Sequence, residues 1–363
     1  MKNASGKTGT RLWTLTCSAI VGCVMLATCA NAATQAAREV TSNVISISGD
    51  RRTLANVKMQ ILGVHVSPRK SGLVNNFSPD LTPLAPAPAL ESSGILTTPN
   101  LLTVPGPGYY PSDLSKASAS APVMGAAQSH ALFVDCPADD CWGTPDPRTF
   151  LTNLGASKMI HVTDQYTGLT TNGRYTVGSA FNITYPIYTI LGDNDIVAIL
   201  HLAVSATGLS GLGHIYHVFL PRHVDVCVGQ GGKCYSPDIP SMFALCAYHS
   251  GVKFSDIAQP VYFTVEPYQG DGCGVAQTPT PSPNGLLIDS TANLLSHEMF
   301  ETITDPDAAS SFVVRRSLRE AGAEVADVCE DPLFRYPDSF IAARFYRIQL
   351  EYSNTYHACA NVP

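Results

Sequence analysis

Residues 284–306 read Asn284-Gly285-Leu286-Leu287-Ile288-Asp289-Ser290-Thr291-Ala292-Asn293-Leu294-Leu295-Ser296-His297-Glu298-Met299-Phe300-Glu301-Thr302-Ile303-Thr304-Asp305-Pro306. Apolar residues recur along this stretch at helical spacing. Asp289 or Ser290 is placed to cap a helix, and Pro306 to stop it. With 3.6 residues per turn, His297 and Glu301 lie one turn apart and about 40° from each other around the axis, so both can reach one ion. Leu294, Leu295, Met299, Phe300 and Ile303 flank the polar trio on nearly every side, which reads as a buried helix. Burying an imidazole and two carboxylates without partners is costly, and a cation would remove that cost.

His297-Glu298-x-x-Glu301 is the H-E-x-x-H zinc helix with a carboxylate in place of the second imidazole, and zinc accepts carboxylate oxygen as well as imidazole nitrogen. In that arrangement His297 and Glu301 are metal ligands, and Glu298 is the general base acting on metal-bound water. Asp305, two turns beyond His297, joins them only if the helix persists that far. A third ligand is expected from the acidic segment 324–331, with Glu324 the first choice and Asp327 the second. The competing readings are plain ones: carboxylates paired with Arg315, Arg316 or Arg319, an acidic surface loop at 324–331, and His297 bonded to a backbone carbonyl. Zinc is the expected ion, with calcium disfavoured by a histidine ligand.

Outward from this helix, residues 159–163, 181–188, 214–220 and 261–265 are rich in β-branched and aromatic residues and read as strands. Residues 194–205 read as a helix that Gly208 ends. Mixed strand and helix order predicts an α/β or α+β fold: one mixed-sheet domain over residues 129–363, without internal repeats. Upstream, residues 33–128 carry a dense run of prolines and read as a linker or propeptide, apart from an amphipathic piece near 40–66 that could form a strand or two. Residues 1–32 read as a signal peptide: Lys2, Lys7 and Arg11, an uncharged run, then the small-x-small ending Ala30-Asn31-Ala32. The expected location is therefore extracellular or periplasmic, with no stable membrane span once the leader is removed.

The 363 residues are 45% apolar and 14% charged, against roughly 25% charged in an average soluble protein. Net charge is -7, and no basic block occurs, so nucleic acid is not an expected partner. Of 11 cysteines, Cys17, Cys23 and Cys29 fall in the leader, which leaves an even set suited to disulfides in an exported chain. Sequence alone does not choose the connectivity. Short loops favour Cys136 with Cys141 and Cys227 with Cys234, to which we add Cys246 with Cys273 and Cys329 with Cys359. Other candidates carry less: Gly208-Leu209-Ser210-Gly211-Leu212 lacks the final glycine of a nucleophile elbow. His214 and His217 would point to opposite faces of a strand, and His249 reads as a core or disulfide-adjacent histidine more readily than as a ligand.

The strand 214–220, then Asp225-Val226-Cys227, Cys234, Cys246-Ala247-Tyr248-His249, Cys273-Gly274, Pro283-Asn284-Gly285 and the Asp289 helix follow an order that resembles the phosphate-induced (exordium-like) secreted proteins over residues 155–330. The resemblance implies a cell-wall or extracellular setting without an established catalytic activity. Ser296-His297-Glu298 and Thr304-Asp305-Pro306 depart from the plant members and are similar to microbial relatives with a zincin-type helix. The expectation is thus a secreted zinc-dependent hydrolase of the metallopeptidase type, acting on a peptide or cell-envelope substrate. The alternative is a non-catalytic extracellular or wall-associated binding protein. Oligomeric state is not legible.

Overall fold

The computed structural model describes residues 44–54, 56–68, 103–105, 113–137, 141–186, 190–229, 232–269, 273, 282–308, 310–315, 322–329, 338–341 and 344–363. The expected signal peptide and most of the proline-rich stretch lie outside the described residues.

Seven strands build the main sheet: β1 (Val44–Ser48), β2 (Met59–Pro68), β3 (Ala127–Val134), β4 (Tyr175–Thr184), β5 (His214–Phe219), β6 (Leu245–Phe254) and β7 (Val261–Glu266). Their order across the sheet is β1-β4-β3-β5-β7-β6-β2. Strands β4, β3, β5 and β7 pair in parallel, whereas β6 runs antiparallel to β7 and β2 antiparallel to β6. Parallel neighbours need crossovers, and helices supply two of them: α1 (Pro147–Gly155) lies between β3 and β4, and α2 (Asp193–Thr207) between β4 and β5. The third helix, α3 (Leu286–Thr304), follows β7.

Side-chain alternation along the central strands divides the core in two. Ala131, Phe133, Ile215, Phe219 and Tyr262 pack with Phe150, Leu154, Leu295, Met299 and Ile303 of α1 and α3. Their neighbours Leu132, Val134, Tyr216, Val218 and Val265 pack with Ile196, Val197 and Leu200 of α2. Both faces of the parallel strands are covered, which is why these segments read as continuous apolar runs. The result is a mixed α/β domain, stapled by Cys136–Cys141, Cys227–Cys234, Cys246–Cys273 and Cys329–Cys359, the four pairings expected. No helix among the described residues is long and apolar enough to cross a membrane.

Several local expectations are corrected. Residues 159–163 form a 3-10 helix rather than a strand; Met159, Ile160, Val162 and Thr163 are buried while His161 is not, a helical spacing that a five-residue apolar run conceals. The expected strand at 181–188 begins earlier, at Tyr175, and ends at Thr184. Helix α3 starts after Gly285, so Asp289 lies in its first turn and accepts from the backbone N–H and side-chain amide of Asn284 at 3.1 and 2.8 Å instead of capping.

The boundary at residue 129 also moves. β1, β2 and the strand Thr103–Pro105 belong to sheets of the domain, and β2 forms one edge of the main sheet. Alternation in β2 sends Gly63, His65 and Ser67 toward the α3 side. Gly63 is opposite Gly251 of β6, and a Cβ at Gly63 would collide with the carbonyls of Asp307 and Ala308 in the turn that follows α3. This close approach brings the end of α3 down onto the β2–β6 ladder.

Candidate metal centre

Helix α3 is buried at every position from Asp289 to Thr304. Its His297, Glu298 and Glu301 face the β6–β2 ladder, where His249 and His65 stand directly opposite each other in register with ring centroids 5.6 Å apart. A 3-10 turn, Asp327–Cys329, closes the assembly from above, and the Cys329–Cys359 disulfide anchors it.

His297 Nε2 is 3.2 Å from Glu301 Oε1 and 3.7 Å from Asp327 Oδ1. His249 Nδ1 is 3.2 Å from Glu298 Oε2 and 3.4 Å from Glu301 Oε2. His65 Nε2 is 2.6 Å from Asp327 Oδ2, and its Nδ1 is 3.1 Å from Glu324 Oε1. Glu324 Oε2 in turn lies 3.6 Å from His249 Nε2. Two trios, His65–Glu301–Asp327 and His249–Glu298–Glu301, each have donor atoms within 4.8 Å of one another.

Many of these approaches are not hydrogen bonds. His297 Nε2, Glu301 Oε2 and both oxygens of Glu324 are buried with no hydrogen-bond partner among the described residues, although oppositely charged atoms stand near them. Proximity without alignment is what donors arranged around an ion look like. At zinc–ligand distances near 2.0–2.1 Å, the edge of a tetrahedron is about 3.3 Å, and the unaligned pairs span 3.1–3.7 Å.

Outer contacts fix which nitrogen each imidazole presents. The Gln349 amide donates to Ala326 O at 2.8 Å, which turns its Oε1 to His297 Nδ1 at 3.1 Å. His297 therefore donates from Nδ1 and aims the Nε2 lone pair at the cluster. His249 Nε2 faces the carbonyl of Asp305 at 3.3 Å, which leaves Nδ1 for Glu298 and Glu301. Such second partners accompany metal-bound histidines almost without exception. Ser67 Oγ donates to Glu298 Oε1 at 2.6 Å and orients that carboxylate.

Electrostatics gives the same reading. Burial alone would lower the His65 pKa, but Glu324, Glu301 and Asp327 override it and raise it to about 10. Burial likewise opposes protonation of His249, and its bond to Glu298 with the adjacent Glu301 carboxylate brings it up to about 10. His297 is raised for the same reason, chiefly by Glu301. Burial would raise Glu301, yet His297 and His65 hold it well below the carboxylate range. Burial, despite nearby His65, pushes Glu324 well above it, with Glu301, Asp305 and Asp327 adding to the rise. Without a metal the cluster must gather protons onto its imidazoles; a divalent cation would do the same neutralising in their place.

Of the residues singled out from sequence, His297, Glu298, Glu301, Glu324 and Asp327 are brought together. Asp305 is in neither donor trio: α3 ends at Thr304, Asp305 Oδ1 accepts from the N–H groups of Ser310 and Ser311 at 3.2 and 2.9 Å, its carbonyl faces His249 Nε2, and its buried carboxylate acts on Glu324 through charge. Sequence reasoning missed His65, which lies in the amphipathic piece read as a strand or two but was not weighed as a ligand, and set aside His249 as a core residue. The alternation Gly63, His65, Ser67 was the available signal for His65. No known family, curated protein or solved structure matches the chain.

Proposed function

We propose that this chain is an exported metalloprotein with a divalent-metal centre, zinc fitting its donor set best, and that the centre is hydrolytic. The observation that carries the metal reading is the convergence of unpartnered buried donors, His297 Nε2 and Glu301 Oε2 from helix α3 and Glu324 from a separate segment. Imidazole nitrogen mixed with carboxylate oxygen suits zinc better than calcium, which prefers oxygen alone. Export is supported by the four disulfides and by the leader-like first 32 residues.

A divalent ion in such a site supplies Lewis acidity and a water of lowered pKa. The chain's part is to present His297 and Glu301 from one helical face, to hold Asp327 over them through the Cys329–Cys359 anchor, and to fix His297 and His249 by their outer bonds. Glu298 is the proton acceptor implied by the H-E-x-x-E order; its Oε1 is held by Ser67 and its Oε2 faces His249. Peptide bonds are the proposed substrate, by analogy of helix type alone.

A structural role for the ion is the second reading, and burial favours it. Only His65 and Asp327 reach solvent, at 18% and 12% side-chain exposure, and the cavity lined by Trp142, Pro147, Phe150, Ile288 and Leu295 touches none of the cluster. Elemental analysis of the mature protein, paired with peptidase assays of wild type and Glu298→Gln, separates the two. Metal retained with turnover lost identifies a catalytic base. Absence of turnover in metal-replete wild type against a broad quenched-peptide library identifies a structural centre, and absence of stoichiometric metal overturns both.

A further inference from the structure

The donor set is larger than one ion uses. Three imidazoles and four carboxylates, Glu298, Glu301, Glu324 and Asp327, converge in a space almost closed to water. A single tetrahedral ion takes four ligands. The two donor trios share one residue, Glu301, and its two oxygens face different imidazoles. Oε1 points to His297 Nε2 at 3.2 Å, and Oε2 points to His249 Nδ1 at 3.4 Å.

We propose that the centre binds two divalent cations bridged by the Glu301 carboxylate. One ion is held by His297 Nε2, Glu301 Oε1 and Asp327, with His65 beside it. The other is held by His249 Nδ1, Glu298 Oε2 and Glu301 Oε2. The inference rests on the metal-centre reading above and replaces the base role of Glu298: with Oε2 a ligand and Oε1 held by Ser67, Glu298 is a metal ligand and not the proton acceptor.

Three independent features carry it. First, each of the two histidines has its own outer partner, Gln349 Oε1 for His297 and the Asp305 carbonyl for His249, and each partner leaves free the nitrogen that faces Glu301. A histidine that merely satisfied a core contact would not need its far nitrogen aimed at a shared carboxylate. Second, the anionic groups exceed what one ion compensates: Glu298, Glu301, Glu324 and Asp327 converge with Glu266 and Glu351 buried beside them, and uncompensated charge is costly in a buried site. Third, carboxylates that span two ions set them about 3.5–4 Å apart, as in two-metal hydrolases. Glu301 is placed to span such a pair, its Oε1 facing His297 Nε2 and its Oε2 facing His249 Nδ1.

The test is a metal titration of the full mature chain, stripped with chelator and reloaded with Mn2+ alone, read by elemental analysis and low-temperature electron paramagnetic resonance. Two equivalents per chain with an exchange-coupled spectrum are expected. One equivalent with the six-line signal of isolated Mn2+ overturns the bridged pair while leaving the metal-centre reading intact; no stoichiometric binding overturns both. In His249→Ala, with folding verified by circular dichroism, the stoichiometry is expected to fall to one and the coupling to vanish. Retention of two coupled ions in that variant removes His249 from the ligand set and overturns the second position as assigned here.

Discussion

Gln349 touches no proposed ion, yet the geometry makes His297 depend on it. Its Nε2 donates to Ala326 O at 2.8 Å and its Oε1 accepts from His297 Nδ1 at 3.1 Å, both in a fully buried setting. Gln349→Leu keeps the approximate volume and deletes both bonds. Two buried groups, the Ala326 carbonyl and the His297 N–H, are left unsatisfied at about 1–3 kcal/mol each, so the metal-free protein should lose about 2–6 kcal/mol. The imidazole also loses the contact that selects its tautomer, and loss of such an outer partner lowers metal affinity by about 10–100-fold. Zinc affinity is measured by competition with a chromophoric chelator, and metal-free stability by urea unfolding in EDTA. Gln349→Glu, which retains an acceptor for His297, should recover most of the affinity. If Gln349→Leu loses stability but binds zinc like wild type, the argument that Gln349 sets the donor nitrogen is wrong.

The remaining predictions test the surroundings. Ser179 N–H donates to His130 Nδ1 and His130 Nε2 meets His214 Nδ1, each at 3.1 Å, so the ring is held neutral; burial and then His214 lower its pKa to about 4. Because the unfolded chain takes up that proton near pH 6.5, the contribution is complete above 6.5 and is lost as pH falls toward 4, by about 1.4 kcal/mol per pH unit and about 3 kcal/mol in all. In EDTA, the fall in urea midpoint between pH 7 and pH 5 should be smaller in His130→Asn than in wild type. Cys329 and Cys359 are 30 residues apart; replacing both with alanine should cost about 3–4 kcal/mol by loop entropy and weaken zinc binding in the same titration, because Asp327 loses its anchor. Gly63→Ala should destabilise by about 1–3 kcal/mol through overpacking against the Asp307 and Ala308 carbonyls, a loss visible as a lower thermal midpoint.

What was legible in the sequence follows the range of the interactions involved. Helix periodicity is local, so α3 and the shared face of His297 and Glu301 could be placed from spacing alone, as could α2 with its stop at Gly208. Strand pairing is not local. β2 pairs with β6 across a separation of well over a hundred residues, and nothing within a ten-residue stretch beside a proline run announces that partner. His65 was lost for that reason. His249 was visible, but a histidine on a strand buried on both faces looks like any other core residue until the helix opposite it is known. The mistaken strand at 159–163 is the reverse case, in which a short apolar run is compatible with both periods. Asp305 failed by one residue: the helix ends at Thr304, and the next side chain is turned to the loop amides.

The donors and their outer partners come from residues 65, 249, 297–301, 324–327 and 349, nearly from one end of the described chain to the other. No nascent fragment contains them all. Under the export proposed above, a polypeptide threaded unfolded through a translocation channel would reach its destination before this centre could assemble around a cation, and the choice of ion would pass from the cytosol to the compartment outside. Where affinities follow the general order that favours copper over zinc and manganese, that timing, more than the ligands themselves, would decide which element is found in the finished protein.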